Sequence, residues 1–77
     1  MNGETTRRFT MASVAKIIEL SADSEQSFED ALQQGIKRAN DTLRNVRSVW
    51  IKDKEVILEG GVPKIYRMHL KVTFKLD

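Results

Sequence analysis

The 77-residue sequence contains no cysteine, only one proline and few aromatic residues. Without cysteine the chain cannot form a disulfide, and no Cys/His cluster suggests a structural zinc site. A domain of this size buries only about 60% of the surface that its unfolded chain exposes, so it usually needs a further source of stability. We therefore expect oligomerisation to supply that stability.

Neither the charge nor the hydropathy points to a nucleic acid or a membrane. Thirteen Lys and Arg residues against eleven Asp and Glu give a net charge of +2, which is close to balance. A nucleic-acid-binding sheet also needs aromatic residues among the basic ones, and only Trp50 and Tyr66 are available for this. No apolar run approaches the ~20 residues of a membrane span. The N-terminus lacks the apolar core of a secretory signal, so we expect a cytoplasmic protein.

The clearest pattern is the alternation of apolar and mostly basic side chains in the last thirteen residues. Because strand side chains point to opposite faces with a period of two, this segment is predicted to be a strand with one apolar and one basic face. Another strand is predicted at 47–58, and Gly60 and Gly61 form the turn between the two. Residues 13–20 predict the first strand, which a polar connection at 21–26 follows.

A helix is predicted between the first and second strands. Ser27 suits the N-cap position, and Asp30 three positions later completes a capping-box pattern, while Asn45 is a suitable stop. Gly35 costs the helix roughly 1 kcal/mol relative to alanine, a cost that the close approach of another backbone explains. The predicted apolar stripe, with three- and four-residue spacing, consists of Phe28, Leu32, Ile36, Ala39 and Leu43.

The element order β-α-β-β predicts an α+β fold. A crossover through the helix leaves the first two strands parallel, and the hairpin makes the third strand antiparallel to the second. With the third strand in the centre, the result is a fully antiparallel three-stranded sheet packed on one helix. One helix covers only one face, so Trp50, Ile65 and part of the first strand should form an exposed apolar patch. A closed symmetrical oligomer would cover this patch and the two open sheet edges.

The uncovered face carries the candidate binding residues. Alternation places Val49 and Ile51 towards the helix, and Ser48, Trp50 and Lys52 on the opposite face. Trp50 suits a subunit contact, a stacking contact with a flat ligand, or a place in the protomer core. No nucleophile with a nearby base and no phosphate-binding loop is present, so the sequence does not predict an enzyme.

Several charged residues on or near the same face have two possible roles. Arg67 has a planar guanidinium group that suits a phosphate or carboxylate ligand, or a salt bridge between subunits with Glu19 or Asp53 as the acidic partner. His69 is either a surface residue or a ligand-binding or pH-sensing group. The acidic residues of the hairpin are either solvated or brought together by symmetry around a cation. These acidic residues are Asp53, Glu55 and Glu59.

Five segments follow one another in the order and spacing of a known family. They are VAKIIEL at 14–20, SFEDA at 27–31, RANDTLRNV at 38–46, EGG at 59–61 and YRMHLKVTFKL at 66–76. In this arrangement the chain resembles the dodecins. The resemblance implies a dodecin-like domain at 12–77, and the polar, aperiodic residues 1–11 are predicted to be a disordered tail.

Dodecins are β-α-β-β protomers that assemble as twelve identical subunits in a hollow shell. The resemblance therefore implies a homododecamer that stores or sequesters a small flat cofactor, with flavin (FMN or riboflavin) as the family ligand. The family's flavin-stacking tryptophan corresponds to Ser48 here and its flavin-binding glutamine to Arg67, while Trp50 lies two residues further along the strand. Ser48, Trp50 and Arg67 are thus the candidate cofactor contacts.

The replaced tryptophan also leads to an alternative. Some relatives that lack this tryptophan are known as calcium dodecins. The resemblance therefore also fits a flavin-free shell that salt bridges stabilise, with bound calcium or other cations as a further component.

Overall fold

A computed structural model describes residues 14–76 as a three-stranded antiparallel sheet with one helix on one face. The elements are β1 (Ala15–Ser24), α1 (Phe28–Thr42), β2 (Val46–Glu59) and β3 (Val62–Lys75). Strand β3 is central and pairs antiparallel with both β1 and β2. The predicted β-α-β-β fold with a central third strand is confirmed. The predicted tail at 1–11 lies outside the described residues.

Strand β1 continues to Ser24, four residues beyond the predicted end. The prediction of a connection at 21–26 was wrong because polar residues in this segment keep the two-residue alternation of a strand. Ala22 packs against the core, whereas Ser21 and Asp23 remain exposed. This part of β1 therefore adds polar groups to the sheet face opposite the helix.

Helix α1 begins as predicted, and its first turn is tied to the end of β1. The Ser27 hydroxyl oxygen accepts a hydrogen bond from the Asp30 backbone N–H at 3.0 Å. The Asp30 carboxylate in turn accepts one from the buried Ser24 hydroxyl at 2.7 Å. The helix ends at Thr42, before the predicted stop at Asn45, which instead has a φ of 60° in the connection to β2.

The buried stripe of α1 is narrower than predicted. It consists of the small residues Ala31, Gly35 and Ala39, whereas Ile36 and Leu43 of the predicted stripe are only half-buried. The bulk of the core comes instead from the central strand. Its buried side chains are Met68, Leu70 and Val72.

Gly35 marks the closest contact between the helix and the sheet. A Cβ atom at this position would lie 2.7 Å from Leu70 Cδ1 and 3.3 Å from Ala22 Cβ. A close approach at Gly35 is thus present, but the prediction that another backbone makes it was wrong, because the nearest atoms belong to side chains of the sheet. The absence of a side chain there lets α1 lie against β1 and β3, at the expense of helix propensity.

The β2–β3 hairpin extends beyond the helix and beyond β1. Gly60 and Gly61 have φ values of 61° and 80°, which the two central residues of a type I′ hairpin turn require. Strand β1 stops opposite Tyr66, so the hairpin from there to the turn has no third strand beside it. Leu58 near its tip is 57% exposed. An isolated two-stranded ribbon is only marginally stable in water. We therefore expect this part of the hairpin to pack against another copy of the chain.

The helix covers the sheet unevenly. It packs mainly on β1 and β3 and reaches β2 less. Ile51 faces the helix side as predicted but is still 42% exposed, because it lies on the far strand. No helix within residues 14–76 is long and apolar enough to cross a membrane.

Substitution of Gly35 by alanine tests the helix–sheet contact. Alanine improves helix propensity by roughly 1 kcal/mol, but its methyl group enters a packed core, where overpacking costs typically about 1–3 kcal/mol. We expect a net decrease of about 1 kcal/mol in the free energy of unfolding, measured by denaturant titration.

The matched control is Gln33→Ala, at an exposed position of the same helix. This change should be neutral or slightly stabilising. A Gly35→Ala protein more stable than the parent would mean that Leu70 moves aside easily, and the packing explanation would be wrong.

Candidate functional site

The candidate site residues lie on the sheet face opposite α1, hereafter the outer face. The strand register places Glu19 and Asp23 of β1 beside Lys71 and Arg67 of β3 on this face. From β2 come Ser48 and Trp50, opposite Thr73 and Lys71, followed by Asp53 and Glu55, opposite His69 and Arg67. Ser48 and Trp50 thus lie on the predicted face.

Two of the three register shifts between β2 and β3 decide whether Asp53 and Glu55 reach the outer face. The register shifts by one residue between Ile57 and Leu58 and shifts back between Ile51 and Asp53. Because a one-residue shift exchanges the two faces, Asp53 and Glu55 face outward between these points. Strict alternation would have turned both carboxylates towards the helix. The register shifts therefore bring acidic side chains beside the basic ones of β3.

Five charged or titratable side chains form an ion-pair network across this part of the outer face. The Arg67 fork donates two hydrogen bonds to the Asp23 carboxylate, at 2.7 and 2.9 Å, and Arg67 Nη1 lies 3.7 Å from Glu55 Oε1. His69 Nε2 lies 2.9 Å from the same Glu55 oxygen and 3.8 Å from Asp53 Oδ1. A bidentate pair within a network is the arrangement in which a half-exposed ion pair has a measurable effect.

Arg67 is already paired within its own protomer. Its partners are Asp23 and Glu55, and the predicted salt bridge to Glu19 or Asp53 of a neighbouring subunit stays a prediction. Within the protomer, Glu19 accepts a hydrogen bond from Lys52 Nζ at 3.2 Å. Asp23 was missed because it was assigned to a connection rather than to β1, and Glu55 because the register shift is invisible in the sequence pattern.

The network shifts the ionisation of its members. The hydrogen bonds from Arg67, together with the positive charges of Arg67 and His69, hold the pKa of Asp23 below its usual value of 3.8 against the smaller effect of burial. The hydrogen bond to Asp23 correspondingly raises the pKa of Arg67, with a further contribution from the Glu55 charge. Arg67 is therefore a cation whose fork is already occupied within its own chain.

The other part of the outer face is aromatic and cationic. Trp50 is 65% exposed, and Lys71 Nζ lies 5.1 Å from the centroid of its ring. A cation over an indole at an exposed site contributes about 0.5–1 kcal/mol. This Trp50–Lys71 pair has Ser48 and Thr73 as the next cross-strand neighbours, and these are small polar residues.

The three predicted cofactor contacts do not come together in one protomer. Ser48 and Trp50 are two residues apart on the same strand face. Arg67 is four residues away along β3 from the partner of Trp50, or roughly 13 Å at strand spacing. The structure thus separates Arg67 from the indole and brings Lys71 to it, a residue that the sequence analysis did not select.

The described residues contain no ready-made metal centre. Within 14–76 no three histidine, aspartate or glutamate side chains are grouped so that they could hold a metal ion. The outer face of one protomer therefore offers a stacking surface, a lysine ammonium and an internally paired ion network.

Removal of the Asp23 carboxylate tests the ion-pair network. Because the folded-state pKa of Asp23 lies below its unfolded value, the pair stabilises the fold above about pH 4 and is lost as the pH falls through the folded pKa. We expect Asp23→Asn to lower the midpoint of thermal unfolding at pH 6 and to reduce the further decrease seen on acidification from about pH 5 to pH 2.

Asp41→Asn is the control, because it breaks the pair with Lys37 on the exposed surface of α1. Its effect on the unfolding midpoint at pH 6 should be smaller, since both side chains of the pair are mostly exposed. Equal acid sensitivity in the parent and in Asp23→Asn would contradict a stabilising role for the network.

Comparison with known proteins gives a consistent result. The family model described as Dodecin matches residues 14–77. The dodecin of Thermus thermophilus is 40% identical over 70 residues, which cover 87% of this chain and 97% of that protein. A crystal structure of a T. thermophilus protein superposes with a TM-score of 0.79 at 32% identity, covering 86% of this chain and 97% of the other.

A second solved relative is described as a calcium-binding protein. The calcium dodecin of Mycobacterium tuberculosis, described as a calcium-chelating antigen with a novel calcium-binding site, superposes with a TM-score of 0.75 at 28% identity. The match covers 84% of this chain and 93% of that one. The fold, the family match and these similarities together show that the chain belongs to the dodecin family.

Proposed function

We propose that this protein forms a closed homododecamer that binds and stores a small flat cofactor. The cofactor binds at the outer face of the protomer sheet, and flavin (FMN or riboflavin) is the first candidate. The observation that carries the proposal is Trp50, a largely exposed indole on a sheet face that its own protomer leaves uncovered. In a chain of the dodecin family, such an indole is suited to stack on a flat ring.

The need for an assembly follows from what one protomer leaves open. Strands β1 and β2 are both edges, with unpaired backbone groups that can join another chain. Ile65 is half-buried and contributes less to the apolar surface than predicted, but large apolar side chains remain exposed elsewhere. A closed ring of identical contacts covers these surfaces without leaving a growing end. The exposed apolar residues include Ile17, Trp50, Leu58 and Val62.

Binding without catalysis suits the chemistry of this face. A ring stacked on Trp50 is shielded from water, and contact with an indole quenches the excited state of a flavin. Two cations of this face are paired with carboxylates, Arg67 with Asp23 and Lys52 with Glu19, and a third, Lys71, lies over the Trp50 ring. We therefore propose a storage protein of the cytoplasm rather than an enzyme.

A second candidate function is a flavin-free shell held by salt bridges and bound cations. It is favoured by Arg67, which stands at the position of the family's flavin-binding glutamine but has its fork on Asp23. The M. tuberculosis relative described as a calcium dodecin fits this alternative. Symmetry would have to complete any calcium site, from carboxylates such as Glu55 and Glu59, because the described part of one protomer has no such group.

Flavin fluorescence separates the two candidates. We expect the emission of FMN or riboflavin at micromolar concentration to be quenched on addition of the protein, because the ring stacks on Trp50. Trp50→Leu should abolish most of the quenching. Tyr66→Phe, which keeps an aromatic ring on the helix side of the sheet, should leave it intact.

Emission that stays unquenched for both flavins would exclude the stacking function. If calcium at the same time raises the unfolding temperature of the protein and a chelator reverses this, the cation-binding shell becomes the better account. Quenching that survives Trp50→Leu would place the flavin elsewhere.

A further inference from the structure

The two parts of the outer face differ in how their basic residues are paired with carboxylates. In one part, Arg67 is held by Asp23 and Glu55. Lys71 differs from Arg67, because no carboxylate of residues 14–76 lies within salt-bridge distance of its ammonium group. Its partner is the indole of Trp50.

The missing carboxylate at Lys71 has a structural cause. Glu19 is the cross-strand neighbour of Lys71 on β1 and would be its natural partner. The Glu19 carboxylate instead accepts a hydrogen bond from Lys52 Nζ, the residue at which the β2 register shifts. The Glu19 carboxylate is thus engaged by Lys52, and the Lys71 ammonium lies beside an exposed ring.

An exposed indole and an unpaired ammonium recognise two different features of one ligand. The indole offers a flat apolar surface for stacking, and the ammonium attracts a phosphate or carboxylate group. Neither Ser48 nor Thr73, the small polar neighbours in register, obstructs a ring at this place or competes for the anion. The charge of this part of the face is thus complementary to a flat aromatic anion.

The geometry points to Trp50 and Lys71 as a binding subsite for a flat aromatic ring that carries a phosphate, with Lys71 as the residue that selects the phosphorylated form over the neutral one. This inference rests on the proposed function, since it names the ligand class of the same face. It assigns the selective contact to Lys71 rather than to Ser48 or Arg67, the positions to which the family resemblance points.

The matched probes are FMN and riboflavin, which differ only by one phosphate group. Affinities are measured by fluorescence titration of the assembled protein at low ionic strength. We expect FMN to bind about tenfold more tightly than riboflavin, the usual scale of one hydrogen bond to a charged group. Lys71→Gln should bring the affinity for FMN down to that for riboflavin and change the affinity for riboflavin by less than about twofold.

Two controls separate a specific contact from general charge. Lys64→Gln removes the same charge near the hairpin turn, where the lysine is 4.0 Å from Glu59, and should leave the FMN preference unchanged. Excess inorganic phosphate should not displace FMN, because it lacks the ring. Displacement at equal concentration would show an anion site without aromatic recognition and would overturn the inference.

The protein without substitutions gives a test that does not depend on a folded variant. The preference for FMN should shrink as the ionic strength rises from about 0.01 M to about 1 M, since the screening length falls from roughly 30 to 3 Å. Lys71→Arg should retain the preference.

The failures of the two proposals are distinguishable. Equal affinities of the unsubstituted protein for FMN and riboflavin would overturn the subsite and leave flavin storage standing. A preference that survives Lys71→Gln would remove Lys71 from the selection. Binding of neither flavin would overturn both.

Discussion

The structure depends on the close packing of one short helix against one face of a three-stranded sheet. Gly35, Ala31 and Ala39 bring α1 against the sheet, and Leu70 of the central strand fills the space beneath Gly35. A helix of about four turns can bury only one such face. The charged and apolar side chains of the outer face, and those of the hairpin beyond β1, are not covered by the helix. Their contacts must come from side chains of the same face, from a ligand or from another copy of the chain.

The contacts that the charged side chains make differ between the two parts of the outer face. Around Arg67, carboxylates from both edge strands neutralise the basic residues of β3. Around Trp50, no carboxylate of residues 14–76 lies within salt-bridge distance of Lys71, and its ammonium group lies over the exposed indole. The register shifts of β2 turn Asp53 and Glu55 outward. Glu19, the cross-strand neighbour of Lys71, is paired with Lys52.

Local sequence patterns predicted the elements well, but they did not predict the pairing of the charges. The alternation in β3, the cap at Ser27 and the Gly60–Gly61 turn are decided by nearby residues, and each was found at its place. The pairing of Arg67 with Asp23 and Glu55 was missed because it depends on the end of β1 and on register shifts that tertiary pairing creates. The position of Lys71 opposite Trp50 could have been predicted from the sequence. Counting residues from the two-glycine turn gives this pairing, because the two intervening register shifts cancel.

The central claim is that a protomer with one uncovered sheet face exists only as part of a closed assembly. Light scattering coupled to size-exclusion chromatography at micromolar concentration measures the mass directly. The account predicts a single species of twelve times the 8.8 kDa chain mass, independent of protein concentration over the measured range. A monomeric mass under the same conditions would contradict the account, because the outer face and both strand edges would then be stable in water without a partner.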